Sequence, residues 1–180
     1  MKVVANGLVM SALMLHAASA AAQTRASDFC AAMPRAAAEA ALQLRAFGAD
    51  TLDDRLGPYR RRICRMQTDP GETLELTVWS RLDRRPFAPL PAHAEACDVG
   101  CLPAGREPNL YRYAQKRIGA ALCVVRIPRA DRDLAIGPIT ACTAGGAQRI
   151  MFAVARKQGL APAPMETVKL LLDRAAGALR

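Results

Sequence analysis

The spacing of apolar residues predicts a helix near the start of the folded chain. Pro34 suits the first turn of a helix, where a missing N–H costs nothing. Ala37, Leu44 and Phe47 then recur at helical intervals, and Gly48 is a suitable end. The N-terminal element is therefore predicted to be a helix that ends near residue 48.

Alternating apolar and polar positions predict the strands that follow. The acid-rich run 50–58 predicts a loop or one short turn, and the segments 61–68 and 73–80 predict the arms of a hairpin. The turn is Asp69-Pro70-Gly71-Glu72, in which proline presets φ and glycine accepts a positive φ. Three further strands are predicted at 120–127, 139–144 and 149–156.

A C-terminal helix completes the pattern after Pro164, with an apolar stripe that includes Val168 and Leu172. Strands and helices do not alternate along the chain, which disfavours a parallel doubly wound sheet. We therefore predict an α+β fold: an antiparallel sheet of about five strands, with the N- and C-terminal helices on one face and disulfide bonds as staples.

The first 22 residues have the three parts of a secretory signal. Lys2 is the only charge before Arg25, residues 7–15 are apolar, and the small residues after them include Ala20-Ala21-Ala22. The alternative is an uncleaved anchor, but the apolar stretch is too short to span a bilayer. We predict a signal peptide at 1–22 and a single domain at 23–180 without a transmembrane segment, in the periplasm or the extracellular space.

Six cysteines follow the predicted leader, and an even number in an exported chain is typical of a disulfide framework. One pair would tie the start of the helix to the first strand, one lies within a flexible loop, and one lies in strands that can be neighbours. The predicted pairs are Cys30 with Cys64, Cys97 with Cys101, and Cys123 with Cys142.

The proline-rich segment 83–108 predicts a long loop, and long ordered loops are often functional or pinned. His93, Cys97 and Cys101 stand at intervals of four within it, so that on a short helix they would share one face. This set suits copper or zinc. Cys97-x-x-x-Cys101-Leu102-Pro103 is similar to the C-x3-C-P motif of copper-delivery proteins, although their strand–helix pattern is missing. The alternatives are a redox-active disulfide and an ordinary loop disulfide beside a surface histidine.

Catalysis would depend on His93, because the other histidine lies in the predicted leader. The chain has no nucleophile elbow, phosphate loop or dinucleotide fingerprint. Whether the protein is an enzyme stays open, but the absence of a recognisable catalytic set favours a binding function without a cofactor.

Basic residues point to a protein or anionic cell-envelope partner. The 25 basic residues include Lys2, so the mature chain keeps 24 against 16 acidic residues, a net charge of +8. Nucleic acid is disfavoured because the protein leaves the cytoplasm. The alternative is that the arginines pair with surface acids and that the tryptophan packs beneath the loop. The candidate contact residues are Arg60, Arg62, Arg65, Trp79, Arg84 and Arg85.

The opening of the mature chain resembles small exported bacterial sensor-like or lipoprotein domains. The resemblance rests on Cys30-Ala31-Ala32-Met33-Pro34, Gly48, Cys64 and the strand 74–79, and it covers the first third of the mature chain. The chain departs from it by lacking a lipid-attachment cysteine and by adding the loop cysteine pair. The resemblance implies an α+β fold, a disulfide between the first two cysteines, and a binding role. We therefore expect an exported non-enzymatic binding or accessory protein, with a metal or thiol-redox protein as the alternative.

Overall fold

The computed structural model describes residues 29–69, 71–102, 107–131 and 136–180, and the predicted signal peptide lies outside these ranges. Helix α1 spans Arg35–Leu42, helix α2 spans Met165–Ala178, and a single 3-10 turn covers Ala94–Ala96. The strands are β1 (Arg45–Leu56), β2 (Tyr59–Asp69), β3 (Thr73–Arg81), β4 (Tyr111–Ile118), β5 (Ala121–Pro128), β6 (Ile139–Ala144) and β7 (Arg149–Ala155).

Within the described ranges these seven strands form one antiparallel sheet in the order β1-β2-β3-β7-β6-β5-β4. Two meanders, β1–β3 and β4–β7, meet edge to edge where β3 pairs with β7, so that Val78 lies opposite Ile150. Strands β1 and β4 are the two edges of the sheet. The turns that follow β1 and β3 consequently lie at the same end of the sheet.

The helices cover one face of the sheet, which we call the helix face. Alternate residues of β3 and β7 point to this side and are fully buried, as strand pleating requires. Ala38 of α1 and the apolar stripe of α2 pack on them in one cluster. The most deeply buried members of this cluster include Leu74, Leu76, Phe152, Val154, Val168, Leu171 and Leu172.

The segment 83–102 covers the opposite face, which we call the loop face. Three of its residues, Leu90, Ala94 and Leu102, are buried against the strands. The sheet supplies the other side of this second, smaller core with Leu122, Val124, Ala141 and Ala153. The protein therefore has three layers: helices, sheet and loop.

The predicted fold class was wrong, because the protein is mostly β and its sheet has seven strands instead of about five. The first helix ends at Leu42, and 45–56, which was predicted to be helix end and loop, is strand β1. Strand β4 was also missed. Both missed strands are sheet edges in which only one residue is buried, Ala46 in β1 and Tyr111 in β4, so the apolar signal of each is weak even though burial alternates along β4.

All six cysteines belong to the described residues and form three disulfides, joining the predicted partners. Cys123 and Cys142 lie directly opposite each other on β5 and β6, with Cα atoms 4.0 Å apart. The bond between Cys30 and Cys64 attaches the segment before α1 to β2. Across the parts of the chain that the structure describes, no helix is long and apolar enough to cross a membrane.

Candidate binding surface

Hydrogen bonds from the strands hold the 83–102 loop in place along its length. The Arg117 guanidinium on β4 donates to the Leu90 carbonyl oxygen at 2.5 Å. The Thr143 hydroxyl on β6 donates to the Gly100 carbonyl oxygen at 2.9 Å. These bonds satisfy loop carbonyls that would otherwise be buried without partners. The loop is therefore a pinned layer of the fold.

Arg149, the first residue of β7, is the main anchor of the loop. Its side chain is only 2% exposed. Nη1 donates to the Asp98 carboxylate and to the Val99 carbonyl oxygen, and Nη2 donates to the Ala88 carbonyl oxygen at 3.3 Å. The guanidinium also lies 5.0 Å from the centre of the Phe87 ring. One buried cation thus joins both ends of the loop to the centre of the sheet.

Trp79 lies beneath the loop, which is the second of the two positions predicted for it. A Cβ atom added to Gly100 would come within 3.1 Å of both Trp79 Cδ1 and Arg149 Cβ, and Gly100 has a φ of +78°. Glycine is therefore suited to this position for two reasons: it accepts the left-handed backbone conformation, and it lets the loop backbone pack closely on the Trp79 and Arg149 side chains. The Trp79 indole N–H is buried and has no hydrogen-bond partner among the described residues.

Three aromatic rings make a rigid support at one end of the sheet. Tyr59 stacks on Phe87 with ring centres 5.6 Å apart and meets Trp79 edge-on at 6.4 Å. The Tyr59 hydroxyl donates to the Asp98 carboxylate at 3.2 Å. Arg61 covers the Trp79 ring at 5.4 Å. Since such contacts favour fixed geometries, the turns beside these rings are held in position.

Two turns project from this end of the sheet, and we call residues 55–60 and 81–86 together the two-turn tip. They are connected directly, because the Leu82 backbone N–H donates to the Pro58 carbonyl oxygen at 2.9 Å. Leu56 and Leu82 are 43% and 45% exposed at the tip. Two large apolar side chains are therefore exposed at this end of the sheet.

The same tip is strongly basic. Its two segments contain five arginines and one aspartate, a net charge of +4. Arg81 forms an ion pair with Asp83 at 2.6 Å, whereas Arg85 is 3.9 Å from the same carboxylate and its side chain is 80% exposed. Arg84 has a φ of +60°, a left-handed conformation that is unfavourable for residues other than glycine. The predicted contact residues Arg84 and Arg85 therefore both lie in this exposed tip.

The other predicted arginines, of which Arg60 also belongs to the tip, do not form one basic face. Arg60 and Arg62 point to the helix face of β2, whereas Arg65 points to the loop face, since alternate strand residues face opposite sides. Arg60 bonds Asp53 and Arg62 lies 4.7 Å from the Phe29 ring centre. Arg65 bonds its cross-strand neighbour, a glutamate, at 2.7 Å. Arg60, Arg62 and Arg65 therefore fit the alternative prediction, in which the arginines contact acids or rings of the protein itself.

Ion pairing and burial set the ionisation of the acids and of the tyrosine near the tip. The Arg81 guanidinium holds the pKa of Asp83 well below its ordinary value, and the Arg85 backbone N–H adds to this effect. Burial works to raise the pKa of Asp98, but hydrogen bonds from Arg149 and from backbone outweigh it, so the pKa is lowered. Burial, followed by the Asp98 charge, raises the pKa of Tyr59. The aspartates are thus anionic and the tyrosine is neutral at physiological pH.

The residues of the predicted metal set do not share a helix face. Cys97 and Cys101 are joined to each other, and the 3-10 turn between His93 and Cys97 is a single turn. His93 is exposed, and its Nδ1 accepts a hydrogen bond from the Gln115 side-chain amide at 2.8 Å. Among the residues with described positions, no group of three histidine, cysteine, aspartate or glutamate side chains is arranged to hold a metal ion.

Sequence reasoning missed Leu56, Leu82 and the anchor Arg149. Leu56 lies in the predicted loop 50–58, and Leu82 lies between the predicted hairpin and the proline-rich loop. No local sequence pattern shows that both leucines are at the same end of the sheet. Arg149 begins a predicted strand, where an arginine usually faces water. The positive φ of Arg84 has no sequence signal at all, because arginine is rare in that conformation.

Comparison with known proteins adds no relationship to this picture. No protein-family model matches this chain, and no curated protein matches it either.

Proposed function

We propose that the mature protein is an exported, non-enzymatic binding protein of the periplasm or the extracellular space, and that it recognises an anionic partner through the two-turn tip. The observation that carries this proposal is the combination of exposed leucines and arginines on a rigid frame. Association surfaces commonly combine an apolar contact with charges that steer the partner.

The distribution of charge supports the choice of the tip. In the described part of the chain, Arg55 and Arg84 have no acidic partner within ion-pairing distance, and Arg85 has only the distant contact with Asp83. The arginines of β2 already contact acids or rings, and they include Arg60 of the tip, which forms an ion pair with Asp53. A surface attracts anions only to the extent that its cations are not neutralised internally, so the tip is the most effective anion-binding region among these candidates.

Export is supported by the predicted leader and by the disulfides. Three bonds that use all six cysteines suit an oxidising compartment. The resemblance of the chain opening to sensor-like or lipoprotein domains also favours a binding role. The pinned loop fits this role as well, because a prearranged surface loses less entropy on binding.

The experiment is a sedimentation assay with isolated bacterial cell envelopes and the processed protein purified from the periplasm. The test variant carries Arg84→Glu and Arg85→Glu. The matched control carries Lys157→Glu and Arg174→Glu, which change the net charge equally at exposed positions away from the tip. We expect saturable binding that is lost in the test variant and retained in the control.

An equal loss of envelope binding in the test and control variants would show that binding depends only on the net charge of the protein. The tip would then not be the binding surface. Saturable binding that neither variant weakens would likewise contradict the proposal. No binding by the wild-type protein would refute an envelope partner. Urea unfolding of each variant verifies that a loss of binding does not reflect a loss of fold.

A further inference from the structure

We infer that the partner of the two-turn tip is the surface of an anionic phospholipid bilayer, with Leu56 and Leu82 entering the interface and the tip arginines contacting the phosphates. This inference rests on the proposed function and specifies the partner. Lipid is favoured over an acidic protein by the arrangement of apolar and cationic side chains at the tip.

Leu56 and Leu82 lie at the same end of the sheet, and each is next to an arginine in the sequence, Arg55 and Arg81 respectively. Leu56 immediately precedes the β1–β2 turn and Leu82 immediately follows β3, and the hydrogen bond between Leu82 and Pro58 makes these turns adjacent. Both leucines are more than two-fifths exposed. A bilayer interface accepts apolar side chains a few ångströms below the level of the headgroups, at which the flanking cations would lie.

Three exposed arginines of the tip are available to an anionic leaflet. Arg55 precedes one exposed leucine, and Arg84 and Arg85 follow the other. Arginine binds phosphate oxygens through two parallel N–H groups, and its planar charge is suited to lipid headgroups. A leaflet offers many phosphates in one plane, so all three guanidinium groups can be occupied together.

The backbone at Arg84 adds independent support. Its φ of +60° is strained for arginine but not for glycine, which commonly occupies such turn positions. Strained residues persist mainly where another requirement outweighs the cost. A requirement for positive charge at the tip of the turn accounts for an arginine in this position.

The experiment measures binding of the processed protein to vesicles that contain phosphatidylglycerol and phosphatidylcholine, with pure phosphatidylcholine vesicles in parallel. We expect binding to the anionic vesicles alone. Because each cation at an anionic leaflet contributes a factor of about 5, removal of both charges in Arg84→Gln/Arg85→Gln should weaken binding about 25-fold. The Lys157→Gln/Arg174→Gln control should change binding less than about 3-fold, since charge effects fade beyond the Debye length.

Two further variants separate this inference from its alternatives. Leu56→Ser/Leu82→Ser should weaken vesicle binding at least about 5-fold, because half-exposed leucines still gain from leaving water. Arg84→Gly relieves the backbone, so it should unfold at an equal or higher urea concentration while binding vesicles about 5-fold more weakly. Soluble glycerol phosphate should not compete, because it offers no interface.

Each other outcome has a definite meaning. Envelope binding that depends on Arg84 and Arg85, without binding to anionic vesicles, would overturn the lipid partner but leave the proposed function intact. Vesicle binding that is insensitive to the leucine substitutions, or is competed by glycerol phosphate, would overturn interfacial insertion. Failure to bind both envelopes and vesicles would refute the two proposals together.

Discussion

Replacement of Arg149 by methionine should release the 83–102 loop from the sheet and destabilise the protein by about 3 kcal/mol. The guanidinium is almost fully buried, and it donates to the Asp98 carboxylate and to the carbonyl oxygens of Val99 and Ala88. Methionine has a similar length and no charge, so it fills most of the space without replacing the hydrogen bonds.

The magnitude follows from the separate contacts. All three hydrogen bonds are donated by the charged guanidinium, and each such bond contributes about 1.5–3 kcal/mol, which the desolvation of the buried cation partly offsets. The contact with the Phe87 ring adds about 0.5–1 kcal/mol. The Asp98 side chain is 52% exposed, so its carboxylate stays hydrated after the substitution. The cost should therefore lie at the low end of the range of about 3–5 kcal/mol for a broken buried pair.

The assay is urea unfolding followed by fluorescence of Trp79, which is the only tryptophan of the chain and packs beside Arg149. A double-mutant cycle with Asp98→Ala should give a coupling free energy of about 2 kcal/mol. Arg174→Met, at an exposed position of α2, is the matched control and should change the free energy of unfolding by less than about 0.5 kcal/mol.

A loss below about 1 kcal/mol for Arg149→Met would refute the conclusion that this residue anchors the loop. If the variant does not fold, Arg149→Lys provides a second measurement. Lysine retains the charge but has no planar fork, so a smaller loss of about 1–2 kcal/mol is expected. An Arg149→Lys variant as stable as the wild type would show that the hydrogen-bond geometry is unimportant.

The remaining predictions concern the disulfides and the acid response. Replacement of Cys123 and Cys142 by alanine should cost about 3 kcal/mol, and replacement of Cys97 and Cys101 about 2 kcal/mol, because the second bond closes a shorter chain segment. Urea unfolding checks this order, and the reverse order would contradict the chain-entropy argument. The lowered pKa of Asp83 means that its stabilising contribution is present above the ordinary aspartate pKa near 4 and is lost as the pH falls further. Unfolding midpoints measured from neutral pH to pH 3 should therefore fall less steeply in Asp83→Asn than in the wild type, and parallel curves would contradict this ion pair.

The local pattern of apolar and polar residues was sufficient to predict the strands that pack one face on the helices. The strand 139–144 has its predicted bounds, and the observed strands at 73–81 and 149–155 differ from the predicted ones by one residue each. These strands lie in the interior of the sheet, where packing against the helix face requires apolar residues at alternate positions. Two of the disulfides were also accessible, because Cys97 and Cys101 are close in sequence and Cys123 and Cys142 lie on adjacent strands, whereas Cys30 and Cys64 are 34 residues apart and join the segment before α1 to β2.

The chain by itself thus determined the leader-like opening, the inner strands, the C-terminal helix, the cysteine partners and the basic character. That 45–56 and 111–118 are edge strands became clear from the order of the strands in the sheet, since an edge strand buries few residues and its apolar signal is weak. The tertiary structure also decided which arginines are occupied within the fold and which remain available. Leu56, Leu82 and Arg84 lie at one end of the sheet because β2 returns the chain between β1 and β3, and no local sequence pattern shows that these distant turns share an end.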